Sequence, residues 1–212
     1  MKFKDFYNLT KENNINSIRD HLISRGLDPD RIGVVVDEKN NIATFFLYNL
    51  SGKLVGYQQY NPMGDKKVGH KYKEDEAKKD LMKYYSYVIG KRKDKSKEVA
   101  VWGLDSYDIN IPYLFIVEGI FDAVSLHNAK VPAIAVLTND PSESLLGWLR
   151  TLPQKKIVIC DNDESGDKLI KAGDFFYKVP SNYKDLNEMS QNEVNDFVNK
   201  ILKDLNLNKK GL

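Results

Sequence analysis

A single cysteine, Cys160, stands in 212 residues. One thiol excludes an intrachain disulfide and any multi-cysteine zinc site, a zinc ribbon included. No run approaches the roughly 20 apolar residues that a membrane-spanning helix needs. The opening Met-Lys-Phe-Lys-Asp-Phe also lacks the apolar stretch of a secretory leader. The expectation is a cytoplasmic protein with no membrane partner. The chain has no Gly-x-x-x-x-Gly-Lys-Ser/Thr loop, so a fused P-loop motor is not expected. It also has no internal repeat.

Net charge is small, +2, and becomes informative only when divided. Residues 1–110 hold 20 Lys/Arg against 16 Asp/Glu, a net +4, while residues 111–212 hold 12 against 14, a net −2. The excess concentrates in residues 64–98, with 12 basic against 7 acidic side chains. A basic segment beside an acidic one suits a protein that holds a polyanion over a metal site. It equally suits a solvated, lysine-rich surface.

The first half reads as a small α+β unit. Ile15, Ile18 and Leu22 share a helix face over Asn14–Leu27, with Gly26 at the C-cap. Strand patterns follow at Ile32–Asp37, Ile42–Tyr48 and Leu54–Tyr60, separated by good turn sequences. A helix is expected next, with Ala77, Leu81, Tyr84 or Tyr85 and Val88 on one face and Gly90 at its end. Val99–Leu104 reads as a short strand. The pattern changes near Asn110, giving an N-terminal unit over 1–110 and a second over 111–212.

From Pro112 the rhythm is strand, helix, strand, helix. The buried runs are Tyr113–Val117, Ala133–Leu137 and Lys156–Cys160, and Phe175–Val179 reads as a fourth strand. Helices are expected over Phe121–Asn128, after an Asp140 N-cap with Glu143 as its capping-box acid, over Lys168–Ala172, and from Ser190 onward, where Glu193 completes a capping box. Short apolar runs alternating with helices imply an α/β fold, with parallel strands covered on both faces.

Three acidic elements follow these strands: Glu118-Gly119, Asp161-Asn162-Asp163, and Lys184-Asp185-Leu186-Asn187-Glu188. Parallel sheets bind ligands at the carboxyl ends of their strands, where strand order reverses. Residues i and i+2 of an extended chain point the same way, so Asp161 and Asp163 can aim at one spot with Glu118 facing them. Clustered carboxylates repel unless neutralised, and hard oxygen donors suit Mg²⁺ or Mn²⁺. Gly119 would let a backbone or a phosphate come close. Taken singly, Asp163 also suits a helix N-cap before Glu164, and Asp185 a turn. Taken jointly, the three elements favour a metal site.

The strings themselves are recognisable. Leu114-Phe115-Ile116-Val117-Glu118-Gly119-Ile120-Phe121-Asp122 resembles the first Toprim motif of phage and bacterial DNA primases. Lys156-Ile157-Val158-Ile159-Cys160-Asp161-Asn162-Asp163-Glu164-Ser165-Gly166 resembles the second, with Ser165 where the family often has alanine. Lys184-Asp185-Leu186-Asn187-Glu188 resembles the Lys-Asp-x-Asn-Glu string that follows. The likeness covers about residues 112–190.

The resemblance implies a Toprim (Rossmann-like) α/β sheet with helices on both faces, preceded by a small α+β basic subdomain. It implies Glu118 as general acid/base or additional ligand, Asp161 and Asp163 as holders of Mg²⁺ or Mn²⁺, and Asp185 as support for a further ion. Asp122 is then a helix-face residue near the site, bonding neighbouring backbone. Lys66, Lys67, Lys71 and Lys73, with Gly119 and Lys184, would contact nucleotide or nucleic acid. Tyr57, Tyr60 and Tyr72 either stack on bases or pack across strands.

The activity so implied is a DNA primase core making RNA primers on a single-stranded DNA template from ribonucleoside triphosphates. A replicative helicase or a separate template-recognition protein is the expected partner. Two other functions fit a Toprim site: a nuclease acting on DNA or RNA, and a non-catalytic nucleic-acid-binding module. Intact Glu118, Asp161 and Asp163 argue against the last, because burying clustered carboxylates without a metal is costly.

Overall fold

The computed structural model describes residues 17–31, 33–66, 81–89, 99–162 and 166–208. It divides into two compact units, one formed by Met1–Leu47 with Gly56–Ile89, the other by Tyr48–Val55 with Gly90–Leu212.

The first unit is built on helix α1 (Ile18–Ser24) and four strands, β1 (Val34–Asp37), β2 (Ile42–Tyr48), β3 (Leu54–Tyr60) and β4 (Tyr84–Val88), of which Tyr48, Leu54 and Val55 at the β2–β3 hairpin fall in the second unit. The strands lie side by side in chain order. The Ser17 hydroxyl caps α1 by accepting from the Asp20 N–H. At the other end Gly26 takes a left-handed φ of 74°, and the Leu27 N–H returns to the Leu22 carbonyl at 2.9 Å. This is a Schellman closure, and Leu22 and Leu27, like Phe45 and Leu47 of β2, are buried.

The helix expected through Leu81 and Val88 is replaced, in its described part, by β4, antiparallel to β3. Tyr84-Tyr85-Ser86-Tyr87-Val88 carries aromatic and β-branched side chains that suit a pleated surface. Their apparent helical spacing is a coincidence of a tyrosine-rich string. Tyr87 sits opposite Tyr57 and Tyr84 opposite Tyr60, with ring centroids 5.5 and 5.2 Å apart. Ala77 and Gly90 lie outside the described residues.

The second unit holds β5 (Tyr113–Val117), α2 (Ile120–Asn128), β6 (Ala133–Ala135), α3 (Glu143–Thr151), β7 (Lys155–Cys160), β8 (Phe175–Lys178) and α4 (Gln191–Asp204). Its sheet is parallel, in the order β6-β5-β7-β8. The chain leaves β5 for β6 on one side, then crosses to β7 on the other. The strand-order switch therefore lies between β5 and β7.

Alternation along the strands supplies two apolar faces. Leu114, Ile116, Ile134, Val158 and Cys160 share a cluster with Leu145, Trp148 and Leu149 of α3 and with Leu169 and Ala172. Residues of opposite parity, Tyr113, Phe115, Ile157 and Ile159, are buried as well, and α2 packs on α4. Fully burying one such side chain stabilises by about 1.5–3 kcal/mol.

Three local expectations need correction. Val99–Leu104 forms isolated bridges, Val101 to Tyr48 and Trp102 to Ala135, because Gly103 at φ 91° turns the chain into a 3₁₀ turn, Leu104–Ser106. The N-cap of α3 is Ser142, whose hydroxyl accepts from the Leu145 N–H, rather than Asp140. Asp140 instead pairs with Lys171 at 2.6 Å. Residues 166–172 coil as a 3₁₀ helix. The capping box at Ser190 and Glu193 is present with both of its hydrogen bonds.

Candidate active site

Glu118 and Asp161 leave adjacent strands at their carboxyl ends. The β5–β7 ladder pairs Ile116 with Val158, so two steps further along, Glu118 stands level with Cys160 and beside Asp161. Both residues are half-buried. The Glu118 carbonyl accepts from the Leu137 N–H at 2.9 Å. Leu137 holds a left-handed φ of 61°, a conformation that costs a leucine roughly 1 kcal/mol or more, next to the residue that the first motif singles out.

The third acidic element comes to the same end of the sheet through hydrogen bonds. The Asn162 N–H donates to the Lys184 carbonyl at 3.1 Å. The Asn162 Nδ2 donates to the carbonyls of Pro180 at 2.9 Å and Tyr183 at 2.7 Å. On the other flank, the buried Asp122 accepts through Oδ1 from the Asn187 N–H at 3.3 Å. Its Oδ2 lies 2.6 Å from where a Cβ on Gly119 would stand. Within this unit, then, the missing side chain of Gly119 leaves room for the Asp122 carboxylate.

The loop is closed further by Lys184 N–H to Glu188 Oε2 at 2.7 Å and by a short hydrogen bond from the Tyr183 hydroxyl to Glu193. That bond, with those from Ser190, holds the Glu193 carboxyl below its usual value and pushes the Tyr183 hydroxyl up. Asp185 is half-buried at the head of the 3₁₀ turn Leu186–Glu188, and the Lys184 side chain is exposed.

Cys160 is excluded from nucleophilic chemistry. Burial pushes its thiol up to about 11, with the charges of Asp167 and Asp161 adding and Lys178 opposing.

Of the predicted site residues, Glu118, Gly119, Asp161, Lys184 and Asp185 thus gather at one end of the parallel sheet. Lys66 is exposed in the first unit. Asp163, Lys67, Lys71, Lys73 and Tyr72 lie outside the described residues. Tyr60 is 1% exposed, with its hydroxyl 2.7 Å from His21 Nε2, so it packs rather than stacks on a base. Asn162 and Asn187 carry contacts that motif reading missed. Their partners are backbone and side-chain groups far away in sequence, which no local pattern signals.

The donor chemistry fits Mg²⁺ or Mn²⁺. Magnesium is commonly held through one or two carboxylates together with waters and substrate phosphates. Glu118 and Asp161 on neighbouring strands, with Asp185 on the tethered loop, supply hard oxygens of that kind. Among the described residues no three His, Cys, Asp or Glu side chains are close enough to cage an ion alone.

Residues 115–197 match the model of a family described as Toprim-like. The second unit carries a Toprim-like domain. Its α/β fold is that of primase catalytic cores, as solved structures show. The RNA polymerase domain of Mycobacterium tuberculosis DnaG aligns with 92% of this chain and 65% of its own, at 19% identity and a TM-score of 0.54. The Aquifex aeolicus primase, zinc-binding and RNA polymerase domains together, aligns with 96% of this chain and 49% of its own, at 18% and 0.54. A DnaG primase catalytic domain bound to single-stranded DNA aligns with 92% and 62%, at 16% and 0.53. The chain thus spans about half to two thirds of the length of these structures. No curated protein matches it in sequence.

Proposed function

We propose that this chain is a primase-like catalytic core, a nucleotidyltransferase that joins ribonucleotides on a single-stranded DNA template with Mg²⁺ or Mn²⁺ as cofactor. The observation that carries the reading is the meeting of Glu118, Asp161 and the tethered Lys184–Glu188 loop at the strand-order switch of a Toprim-like sheet. The resemblance to a DnaG domain that binds single-stranded DNA supports the choice of template.

Asp161 and Asp163 hold the ions, and Asp185 supports a further one. When bound, the ions favour the attacking 3′-hydroxylate and offset charge on the triphosphate. Glu118, half-buried at the end of β5, takes the hydroxyl proton or adds a ligand. Lys184, exposed on the loop, meets the triphosphate as a point charge, with Gly119 beside it at the start of α2. Residues 1–110 hold template and nucleotide through Lys66, Lys67, Lys71 and Lys73, while residues 111–212 carry the chemistry. On this reading the protein works in the cytoplasm beside a replicative helicase or a template-recognition protein.

The test incubates the protein with single-stranded DNA, labelled ribonucleotides and Mg²⁺ or Mn²⁺, beside the Asp161→Ala, Asp163→Ala double variant. Short oligoribonucleotides from the wild type alone are expected. Shortened DNA without new product would replace synthesis by nuclease chemistry, and DNA binding without turnover would leave a binding module.

A further inference from the structure

Asn162, between the two aspartates of the second motif, makes three hydrogen bonds to a segment some twenty residues further on. Two carbonyl oxygens, those of Pro180 and Tyr183, face its side-chain amide. Only the NH₂ end can serve both, and they use both of its protons. Its backbone N–H takes the carbonyl of Lys184, the residue before Asp185. From the opposite flank Asp122 accepts the N–H of Asn187, two residues after Asp185. Asn187 Nδ2 reaches Ser125 Oγ at 3.4 Å, and Gln191 Nε2 reaches the Ser125 carbonyl at 3.2 Å. Asp185 is therefore gripped through the backbone on both sides. One grip comes from the strand end that bears Asp161, the other from the helix that follows Glu118.

We propose that Asn162 is a positioning residue, which fixes the Lys184–Glu188 loop so that the Asp185 carboxylate stays in register with Asp161 at the ion site. The proposal rests on the metal-site reading given above. Asn162 is exposed and contributes little to the core, so its three bonds serve the loop rather than the fold. Loss of such an orienting partner typically lowers metal affinity by about 10- to 100-fold.

The experiment measures Mn²⁺ binding to the full chain without nucleotide, by electron paramagnetic resonance of the free ion. Region-resolved hydrogen exchange of residues 181–189 accompanies it. The variants are Asn162→Ala and Asn162→Leu, the latter of similar shape but without donors, with Asp185→Ala and Asp161→Ala alongside. In both Asn162 variants Mn²⁺ affinity is expected to fall by about 10- to 100-fold, and the loop amides to exchange faster. Amides of β5, β7 and α2 should keep their protection. Wild-type Mn²⁺ affinity in both Asn162 variants, with loss in Asp185→Ala, would overturn the positioning role alone. Equal deprotection of loop and sheet would overturn it too, by making Asn162 a fold residue. Absence of Mn²⁺ binding in the wild type, or full binding by Asp161→Ala, would instead remove the metal-site reading and this proposal with it.

Discussion

The two units are built on opposite principles. In the second, strands such as Tyr113–Val117 are buried on both faces and lie parallel. Side chains there take their place from burial, and the chemistry is pushed out to the strand ends. In the first, strands alternate, as in the half-buried and exposed pattern of Val34–Asp37, and tyrosines pack across neighbours in an antiparallel ladder. A buried parallel sheet fixes where a site must lie. A half-exposed antiparallel sheet offers a surface and leaves its use to the side chains.

The sharpest way to break this comparison is at Glu118. Glu118→Gln is expected to lower primer synthesis by about 10²- to 10⁴-fold with the thermal midpoint nearly unchanged. A substitution of exposed Lys66 in the first unit should shift nucleotide or DNA affinity far more than turnover. Steady-state kinetics on both variants check this, and a Glu118 variant with wild-type turnover would remove the second unit's claim to the chemistry.

Packing gives the next largest contrast. Phe115, fully buried in β5, should lose about 3–5 kcal/mol on replacement by alanine. Val35, 52% exposed in β1, should change stability by no more than about 0.5 kcal/mol. Urea titration of the two variants reads the difference.

Helix caps sharpen the comparison on a finer scale. Ser190 closes a reciprocal box with Glu193, whereas Ser17 caps α1 with its own hydroxyl alone. Each serine-to-alanine change should cost about 1 kcal/mol, Ser190 the more because Glu193 also loses a partner. Local exchange of the first-turn amides reports both.

The smallest effects separate the units by pH. Burial, with Arg25 and Lys83 nearby, lowers the His21 pKa below 6.5. The unfolded chain then binds a proton that the folded unit resists, so stability is lost as pH falls through 6.5 toward the folded value. In the second unit Glu193 sits below 4.5 and Asp140, beside Lys171, below 3.8. Their stabilisation is present above those values and fades as pH falls through the lowered ones. Asp37 adds a like component to the first unit. Exchange followed from pH 7 to 4 should thus show the amides of α1 loosening before those of α4. His21→Gln should remove the difference.

How much of this was legible follows the same division. The buried runs at Tyr113–Val117, Ala133–Ala135 and Ile157–Cys160, the capping box at Ser190 and the three acidic strings were readable because each is a local pattern with one physical cause: full burial, an orphan N–H, a strand end. The fourth strand, Phe175–Lys178, instead alternates half-buried and exposed side chains. Tyr84–Val88 was misread because alternating tyrosines mimic a helical face, and only the cross-strand partners Tyr57 and Tyr60 decide between them. Val101 and Trp102 looked like a strand, yet pair only as isolated bridges before Gly103 turns the chain. Asp140 matched the capping pattern, but Ser142 is the residue whose hydroxyl reaches the first turn of α3.

By itself, then, the amino-acid order determined the α/β class of the second unit and the location of its acidic residues at strand ends. Burial and side-chain type are properties of neighbours along the chain. Only the tertiary structure decided that β5 and β7 adjoin and that Asn162 and Asp122 grip the loop bearing Asp185. The hydrogen bonds that grip the loop join residues 18 to 65 positions apart. Which distant carbonyl an amide meets is settled by how the strands cross over, not by the residues beside it.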